Sequence, residues 1–163
     1  LDNGIYGLTK GQASPTTEQS AKRERGLAGV NERPLNPVLL VLSAGAGFVA
    51  RWHAGNMPHL RGMFRAAITY TGFAFLHVLA GCVTYQPRGY ADELLGRSYL
   101  VPDQHDPTDV RLAMELARDD RFALGVLYRR PPAVVADGDV APEEEDDGFT
   151  IGVAPAEEDL PQG

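Results

Sequence analysis

Short apolar blocks recur along the chain, and their spacing predicts alternating helices and strands. The clearest helix runs from Pro58 to Tyr70 and ends near the C-cap glycine Gly72, because its apolar residues repeat on one helical face. That apolar stripe consists of Leu60, Met63, Phe64, Ala67 and Ile68. Three near-continuous apolar runs, 47–52, 73–79 and 122–128, predict strands inside a sheet. Helix and strand in alternation predict a parallel sheet covered by helices.

Polar residues mark where two further helices begin. Each start combines an N-cap side chain with a proline at the first helical position: Asn36 with Pro37, and Asp106 with Pro107 and Asp109. The run 38–42 is apolar on all sides, so we expect its helix to be buried and to end at Gly45. The segment 86–104 shows no period and is predicted to be irregular. His77, which interrupts an apolar strand, is predicted to be a core histidine with one hydrogen bond.

Three closely spaced glycines near the start of the chain, Gly4, Gly7 and Gly11, predict a loop that wraps a ligand, because glycine allows positive φ and close approach to the backbone. The loop is not a nucleotide P-loop, since Lys10 is followed by glycine rather than by serine or threonine. Its glycine spacing also differs from the dinucleotide fingerprint. We expect Leu1 to end a parallel strand, which would put a phosphate or metal site at the carboxyl end of that strand.

The acidic residues are concentrated at the C-terminal end. Residues 131–163 carry 10 of the 22 acidic residues and none of the 15 Lys and Arg residues. This composition predicts a folded part over residues 1–130 and a disordered acidic tail over residues 131–163. One cysteine excludes an internal disulfide and fits a reducing, cytoplasmic setting. The apolar runs are too short to cross a membrane, and no signal peptide is visible.

Residues 2–16 resemble the thiamine-diphosphate loop of 2-oxoacid:ferredoxin oxidoreductase beta subunits, above all the two-subunit, 2-oxoglutarate-type branch. The resemblance continues in order as far as residue 130, through Asn36-Pro37, Gly45 to Arg51, Gly81 to Tyr85, His105 to Asp109 and Gly125 to Arg129. It implies an α/β fold, the three-layer α/β/α parallel sheet of thiamine-diphosphate-binding proteins. The chain starts with Leu on the loop itself, so we expect the fold to be incomplete at its N-terminus and the chain to be the C-terminal part of a longer protein.

The resemblance implies a set of cofactor-binding residues on this loop. The side chain of Asn3 and the carbonyl of Ile5 would hold Mg²⁺, which grips the diphosphate of thiamine diphosphate. The diphosphate itself would be lined by Tyr6, Gly7, Leu8 and Thr9. Lys10 would lie at the mouth of the cleft, where its cation meets a 2-oxoacid carboxylate or coenzyme A phosphates. The family's metal-binding aspartate, in an upstream Gly-Asp-Gly motif, is missing here, so we expect the chain alone to bind the cofactor poorly and to be inactive.

Cys82 follows an apolar strand and would ordinarily be read as a small buried apolar residue. The resemblance implies a metal-ligating role instead, as the fourth thiolate of a 4Fe-4S cluster. The three other cluster cysteines of the family are absent from this sequence, and Gly81 stands where many relatives have proline.

The resemblance implies a subunit that oxidatively decarboxylates a 2-oxoacid (2-oxoglutarate or pyruvate) with coenzyme A, giving acyl-coenzyme A, carbon dioxide and reduced ferredoxin. No side chain in this chain is required as a general base, and the implied partners are an alpha subunit and ferredoxin, with no nucleic acid and no membrane. Two alternatives stay open. One is a non-oxidative thiamine-diphosphate decarboxylase or carboligase, and the other is an inactive truncated domain that only binds a partner.

Overall fold

The computed structural model describes residues 1–18 and 30–131. These residues form four helices: α1 (Pro37–Ser43), α2 (Met57–Thr69), α3 (Tyr90–Gly96) and α4 (Val110–Arg118). They also form six strands: β1 (Ile5–Tyr6), β2 (Gln12–Ala13), β3 (Phe48–His53), β4 (Ala74–Leu79), β5 (Ser98–Leu100) and β6 (Phe122–Arg129). The predicted acidic tail, apart from Pro131, lies outside the described residues.

The main sheet has four strands in the order β4-β3-β6-β5, and it confirms the predicted α/β class. Strands β3 and β4 are parallel, as are β5 and β6. The expectation of a wholly parallel sheet is corrected by the pairing of β3 with β6, which is antiparallel and shifts register between Val49 and Ala50. The sheet is therefore mixed, because the chain reverses direction after β4, within the segment that was predicted to be irregular.

Helices cover both faces of the sheet, so the three-layer arrangement is confirmed. On one face, Val49 and Leu127 pack with α1 and α4. On the other face, Phe48 and Trp52 pack with Leu60 and other residues of α2. Alternate residues of β3 serve the two cores, which is the ordinary consequence of the two-residue period of a strand.

The segment predicted to be irregular contains α3 and β5. This prediction was wrong because both elements are short, with seven residues in α3 and three in β5, too few to display a hydrophobic period. Strand β5 is held by its parallel pairing with β6. Long-range pairing therefore determines this part of the fold, and local pattern does not reveal it.

The start of α1 is confirmed. The Asn36 side chain accepts a hydrogen bond from the Leu39 amide at 3.1 Å and donates one to the carbonyl of Ala117 in α4 at 2.6 Å. Helix α4 begins later than predicted, with Asp109 as its N-cap. Asp106 instead accepts from the amide and hydroxyl of Thr108 in the preceding turn. Either aspartate offers a suitable cap, so sequence alone placed this boundary three residues too early.

The predicted apolar stripe of α2 is buried only in part. Leu60 and Met63 are buried, whereas Phe64 is 47% exposed and Ile68 is 80% exposed. In α1, Leu40 is 53% exposed, so that helix is not buried on all sides. Helices α1 and α2 therefore contact the sheet through only part of their apolar surface. Within the described part of the chain, the neighbouring apolar side chains stay exposed.

The glycine loop starts beside the end of β4. Asp2 forms a parallel bridge with Leu79, in which the Asp2 amide donates to Val78 at 2.8 Å and the Ala80 amide donates to Asp2 at 2.9 Å. The loop thus leaves an extended segment parallel to β4, at the carboxyl end of the parallel strands, as expected. Within the described residues, no helix is long and apolar enough to cross a membrane.

Candidate functional site

The predicted ligand loop is a β-hairpin. Strands β1 and β2 pair antiparallel, with Ile5 opposite Ala13 and Tyr6 opposite Gln12. The turn between them is closed by the Lys10 amide, which donates to Gly7 at 3.0 Å, and by the Gly11 amide, which donates to Tyr6 at 3.0 Å. Lys10 itself adopts a φ of 68°, so the turn is tight at this residue. These backbone contacts define the shape of the turn.

Gly11 and Gly7 of the hairpin differ in the space around them. Gly11 has a φ of +97°, and a Cβ added there would lie 2.9 Å from Cδ1 of Tyr85. A Cβ added to Gly7 would meet nothing within 4 Å. Gly11 is therefore required for packing of the hairpin against the chain after β4, whereas Gly7 leaves open space along the backbone.

The two predicted metal ligands lie at the base of the hairpin. The Asn3 side-chain oxygen accepts a hydrogen bond from the Ile5 amide at 3.1 Å, which fixes the side chain beside the backbone. Ile5 is 8% exposed. An amide oxygen and a carbonyl two residues apart are hard oxygen donors of the kind that Mg²⁺ takes, and an amide oxygen has a second lone pair to give. Both donors are neutral oxygens. The described segments contain no group of three or more His, Cys, Asp or Glu residues that could hold a metal ion.

A buried glutamine connects this loop to Cys82. Gln86 is 6% exposed, and its amide nitrogen donates to the Asn3 carbonyl at 2.8 Å. Its side-chain oxygen accepts from the backbone amide of Cys82, which is partly buried in the turn after β4. The Gln86 side chain therefore links Asn3, a predicted magnesium ligand, to Cys82, the predicted cluster ligand. Sequence reasoning missed Gln86 because it lies in the segment predicted to be irregular.

A cavity of about 310 Å³ opens behind the base of the loop. Asn3 and Ile5 line it together with the polar side chains Arg51, His77, Tyr90 and Arg97. Arg97 donates to both carboxylate oxygens of Glu18, at 2.8 and 2.7 Å. Burial, and then the charge of Glu18, raises the pKa of Tyr90 to about 12, so its hydroxyl keeps its proton at neutral pH. The wall of the cavity thus combines hydrogen-bond donors with the carboxylates of Asp2, Glu18, Asp119 and Asp120.

Asp2 is held at the junction of the loop and β4. Burial alone would raise the pKa of Asp2, but hydrogen bonds from His77, Thr16 and the Gly4 amide outweigh it and lower the pKa to about 2. His77 is buried, as predicted, but it makes two hydrogen bonds rather than one, to Asp2 and to Arg51. Asp2 and Arg51 were not singled out from the sequence, since a lone carboxylate in a motif and a lone arginine in a strand carry no distinguishing local signal.

The other predicted loop residues lie away from this cavity. Tyr6, Gly7, Leu8, Thr9 and Lys10 form the exposed end of the hairpin, with Leu8 99% exposed. The Thr9 hydroxyl donates to the Tyr6 carbonyl at 3.3 Å. The predicted site residues therefore divide into a buried base, Asn3 and Ile5, and an exposed hairpin end.

Two adjacent segments of this chain match known protein families. Residues 1–78 match the family model of thiamine pyrophosphate enzymes, C-terminal TPP binding domain, and residues 82–141 match the model for the C-terminal region of the pyruvate ferredoxin oxidoreductase beta subunit. The 2-oxoacid:ferredoxin oxidoreductase subunit beta of Saccharolobus solfataricus is 42% identical over 126 residues, covering 77% of this chain and 41% of the relative. The chain belongs to the family of 2-oxoacid:ferredoxin oxidoreductase beta subunits. It spans somewhat less than half the length of the curated beta subunits it matches.

Other members of the beta-subunit family give the same result. The 2-oxoglutarate synthase subunit KorB of Archaeoglobus fulgidus is 33% identical, covering 68% of this chain and 44% of the relative. A solved structure, described as 2-oxoglutarate:ferredoxin oxidoreductase from Magnetococcus marinus with 2-oxoglutarate, coenzyme A and succinyl-CoA bound, superposes with a TM-score of 0.74 at 36% identity. That match covers 81% of this chain and 46% of the solved chain. The predicted family and fold are confirmed.

Proposed function

We propose that this chain is the thiamine-diphosphate-binding part of a beta subunit that oxidatively decarboxylates a 2-oxoacid with coenzyme A and ferredoxin. The observation that carries the proposal is the base of the hairpin, where the paired oxygens of Asn3 and Ile5 lie one buried glutamine away from Cys82. A non-oxidative decarboxylase has no iron–sulfur cluster to bind, so a cluster-ligating thiol at Cys82 would distinguish the oxidative enzyme from it. The names and ligands of the family members support 2-oxoglutarate or pyruvate as the substrate.

The hairpin base would hold Mg²⁺ and the cofactor diphosphate. Asn3 would give its side-chain oxygen and Ile5 its carbonyl, and Asn3 is held in place because it is hydrogen-bonded to the Ile5 amide and to Gln86. Tyr6, Gly7, Leu8 and Thr9 would line the diphosphate, with open space at Gly7 for its approach. When bound, thiamine diphosphate supplies the electron sink for decarboxylation, and the protein supplies position and electrostatics.

Cys82 would contribute one thiolate to an iron–sulfur cluster. Such clusters commonly take four cysteine thiolates, and this sequence has one cysteine. The cluster therefore does not fit on this chain alone and needs cysteines from another part of the protein. What this chain provides is the position of one ligand, set by the Cys82 amide hydrogen bond to Gln86.

The exposed end of the hairpin would face substrate and the alpha subunit. Lys10 is exposed there, on a turn that holds its backbone in a fixed conformation. A cation in that place suits the carboxylate of a 2-oxoacid or the phosphates of coenzyme A. Exposure of Leu8 and Tyr6 beside it suits contact with a partner subunit.

The test is an assay of the beta subunit that contains this chain, produced together with its alpha subunit. With 2-oxoglutarate or pyruvate, coenzyme A and ferredoxin, we expect ferredoxin reduction that stops when coenzyme A is omitted. Release of carbon dioxide without ferredoxin reduction would indicate a non-oxidative decarboxylase instead. Tight subunit association without any heat of thiamine-diphosphate binding would indicate a partner-binding module.

A further inference from the structure

A line of buried polar groups runs from the sheet to the glycine loop. Arg51 on β3 is 3% exposed, and its Nε donates to Nδ1 of His77 on β4 at 3.3 Å. His77 is 6% exposed, and its Nε2 lies 3.1 Å from Oδ2 of Asp2. The other carboxylate oxygen of Asp2 accepts from the Gly4 amide at 2.9 Å and from the Thr16 hydroxyl at 2.7 Å. One carboxylate thus holds both ends of the loop.

Arg51 determines which nitrogen of His77 carries the proton. A guanidinium has only donors, so the Nδ1 atom that it faces must present a lone pair. The proton of the neutral ring is then on Nε2, from which it is donated to Asp2. Burial lowers the pKa of Arg51 to about 10, which still leaves it protonated at neutral pH. The guanidinium also lies 5.4 Å from the centre of the Phe122 ring, which holds it in place.

Asp2 is consequently surrounded by donors. His77 Nε2–H and the Gly4 amide cannot reverse their roles, and only the Thr16 hydroxyl can turn from donor to acceptor. The Gly4 contact also matters for the shape of the loop, because Gly4 has a φ of +65° immediately before the Ile5 amide that binds Asn3. The position of the predicted metal ligands therefore depends on the acceptor at residue 2.

We propose that Asp2 is the positioning residue of the cofactor loop. Arg51 keeps the proton of His77 on Nε2, and because this proton faces residue 2, a carboxylate is the only side chain of this shape that fits at position 2. This inference rests on the proposed function of the loop. An asparagine at position 2 has the same shape but must point its NH₂ group either at the Gly4 amide or at His77 Nε2–H. Each orientation sets a donor against a donor, so one hydrogen bond is lost and one buried donor is left unpaired.

The first test is the tautomer of His77, measured in the beta subunit that contains this chain by long-range nitrogen–proton NMR of its histidines. The resonances of His77 are assigned from their loss in His77→Gln. We expect the Nε2–H form in the wild type, in Arg51→Lys and in Arg51→Met, because the Asp2 carboxylate still accepts from Nε2. The Nδ1–H form should appear only when Arg51→Met is combined with Asp2→Asn. An Nδ1–H form in the wild type would overturn the inference. Should Arg51→Met not fold, Asp2→Asn alone still decides, because Arg51 should keep its His77 in the Nε2–H form, and an Nδ1–H form there would overturn the inference.

The second test couples the two positions. In the wild-type background, Asp2→Asn should speed hydrogen exchange at the Gly4 amide and weaken thiamine-diphosphate binding by the full beta subunit roughly tenfold or more, the range expected when a hydrogen bond to a charged group is lost. In the Arg51→Met background His77 can present an acceptor to the amide introduced at position 2, so the same substitution should cost much less. In the Arg51→Lys background the cost should stay the same.

The outcomes separate the inference from the proposed function. Equal costs of Asp2→Asn in the Met and Lys backgrounds, or an unchanged Gly4 exchange rate, would overturn the role of Asp2 and Arg51. Failure of the wild-type subunit to bind thiamine diphosphate would instead overturn the proposed function. Measuring the His77 tautomer and the Gly4 exchange rate needs no cofactor, so both would still report on the contacts among Arg51, His77 and Asp2.

Discussion

Replacing Gly11 by alanine tests how the hairpin is held against the chain after β4. Two costs are expected. Gly11 has a φ of +97°, which alanine adopts at a cost of about 1–2 kcal/mol. Its new Cβ would also lie 2.9 Å from the Tyr85 ring, closer than real Cβ atoms come, and overpacking of this kind costs about 1–3 kcal/mol. We expect Gly11→Ala to lower the free energy of unfolding by about 2–5 kcal/mol in urea denaturation.

Gly45 offers a matched control. It has a φ of +87°, but a Cβ there would meet nothing within 4 Å. Gly45→Ala should therefore show the backbone cost alone, about 1–2 kcal/mol. Removing the ring with Tyr85→Ala should reduce the cost of Gly11→Ala to that of Gly45→Ala. Equal effects of the two glycine substitutions in the wild-type background would refute the contact between Gly11 and Tyr85.

Four further results are expected. Asn36→Ala should destabilise the chain by about 1–2 kcal/mol, because Asn36 caps α1 and also binds the end of α4, and urea melts would measure it. Leu127→Ala should lower the free energy of unfolding by about 2–5 kcal/mol, since Leu127 is fully buried. Ile68→Ala, at an 80% exposed position, should change it by no more than about 0.5 kcal/mol, and similar values for the two variants would contradict the assigned core. The Arg121 amide and the Tyr99 hydroxyl lower the pKa of Asp119 in the folded state. The contribution of Asp119 to stability should therefore be present above its ordinary pKa of about 3.9 and be lost as the pH falls through the lower folded value. Acid titrations of the stability of Asp119→Asn should lack this component. In the full beta subunit, Cys82→Ser should remove the visible absorbance of the cluster, and an unchanged spectrum would contradict its role as a ligand.

The sequence predicted the elements whose apolar pattern is long or whose boundaries carry a specific side chain. Strands β3, β4 and β6 were predicted almost to the residue, because each is an apolar run bounded by turn residues. The start of α1 followed from Asn36 and Pro37. By contrast, α3 and β5 are too short for a period, and the direction of β6 depends on where the chain reverses, which no local pattern records.

Only some residues of the candidate site could be predicted from the sequence. Family resemblance predicted Asn3, Ile5 and Cys82 as site residues, because each lies within a recognisable motif. It did not identify Gln86, which lies 83 positions from the Asn3 carbonyl that it binds. Nor did it identify the pairing of Asp2 with His77, which depends on the parallel register beside β4. Contacts that sheet pairing creates between distant residues have no signature in a single sequence.

The central claim is that the hairpin base binds Mg²⁺ and thiamine diphosphate through Asn3. Calorimetric titration of the beta subunit that contains this chain, with thiamine diphosphate and Mg²⁺, tests it most directly, comparing the wild type with Asn3→Leu and with the exposed control Ile68→Ala. The account predicts clear binding by the wild type and by Ile68→Ala, and little or none by a folded Asn3→Leu variant. Binding by Asn3→Leu with wild-type affinity would contradict it.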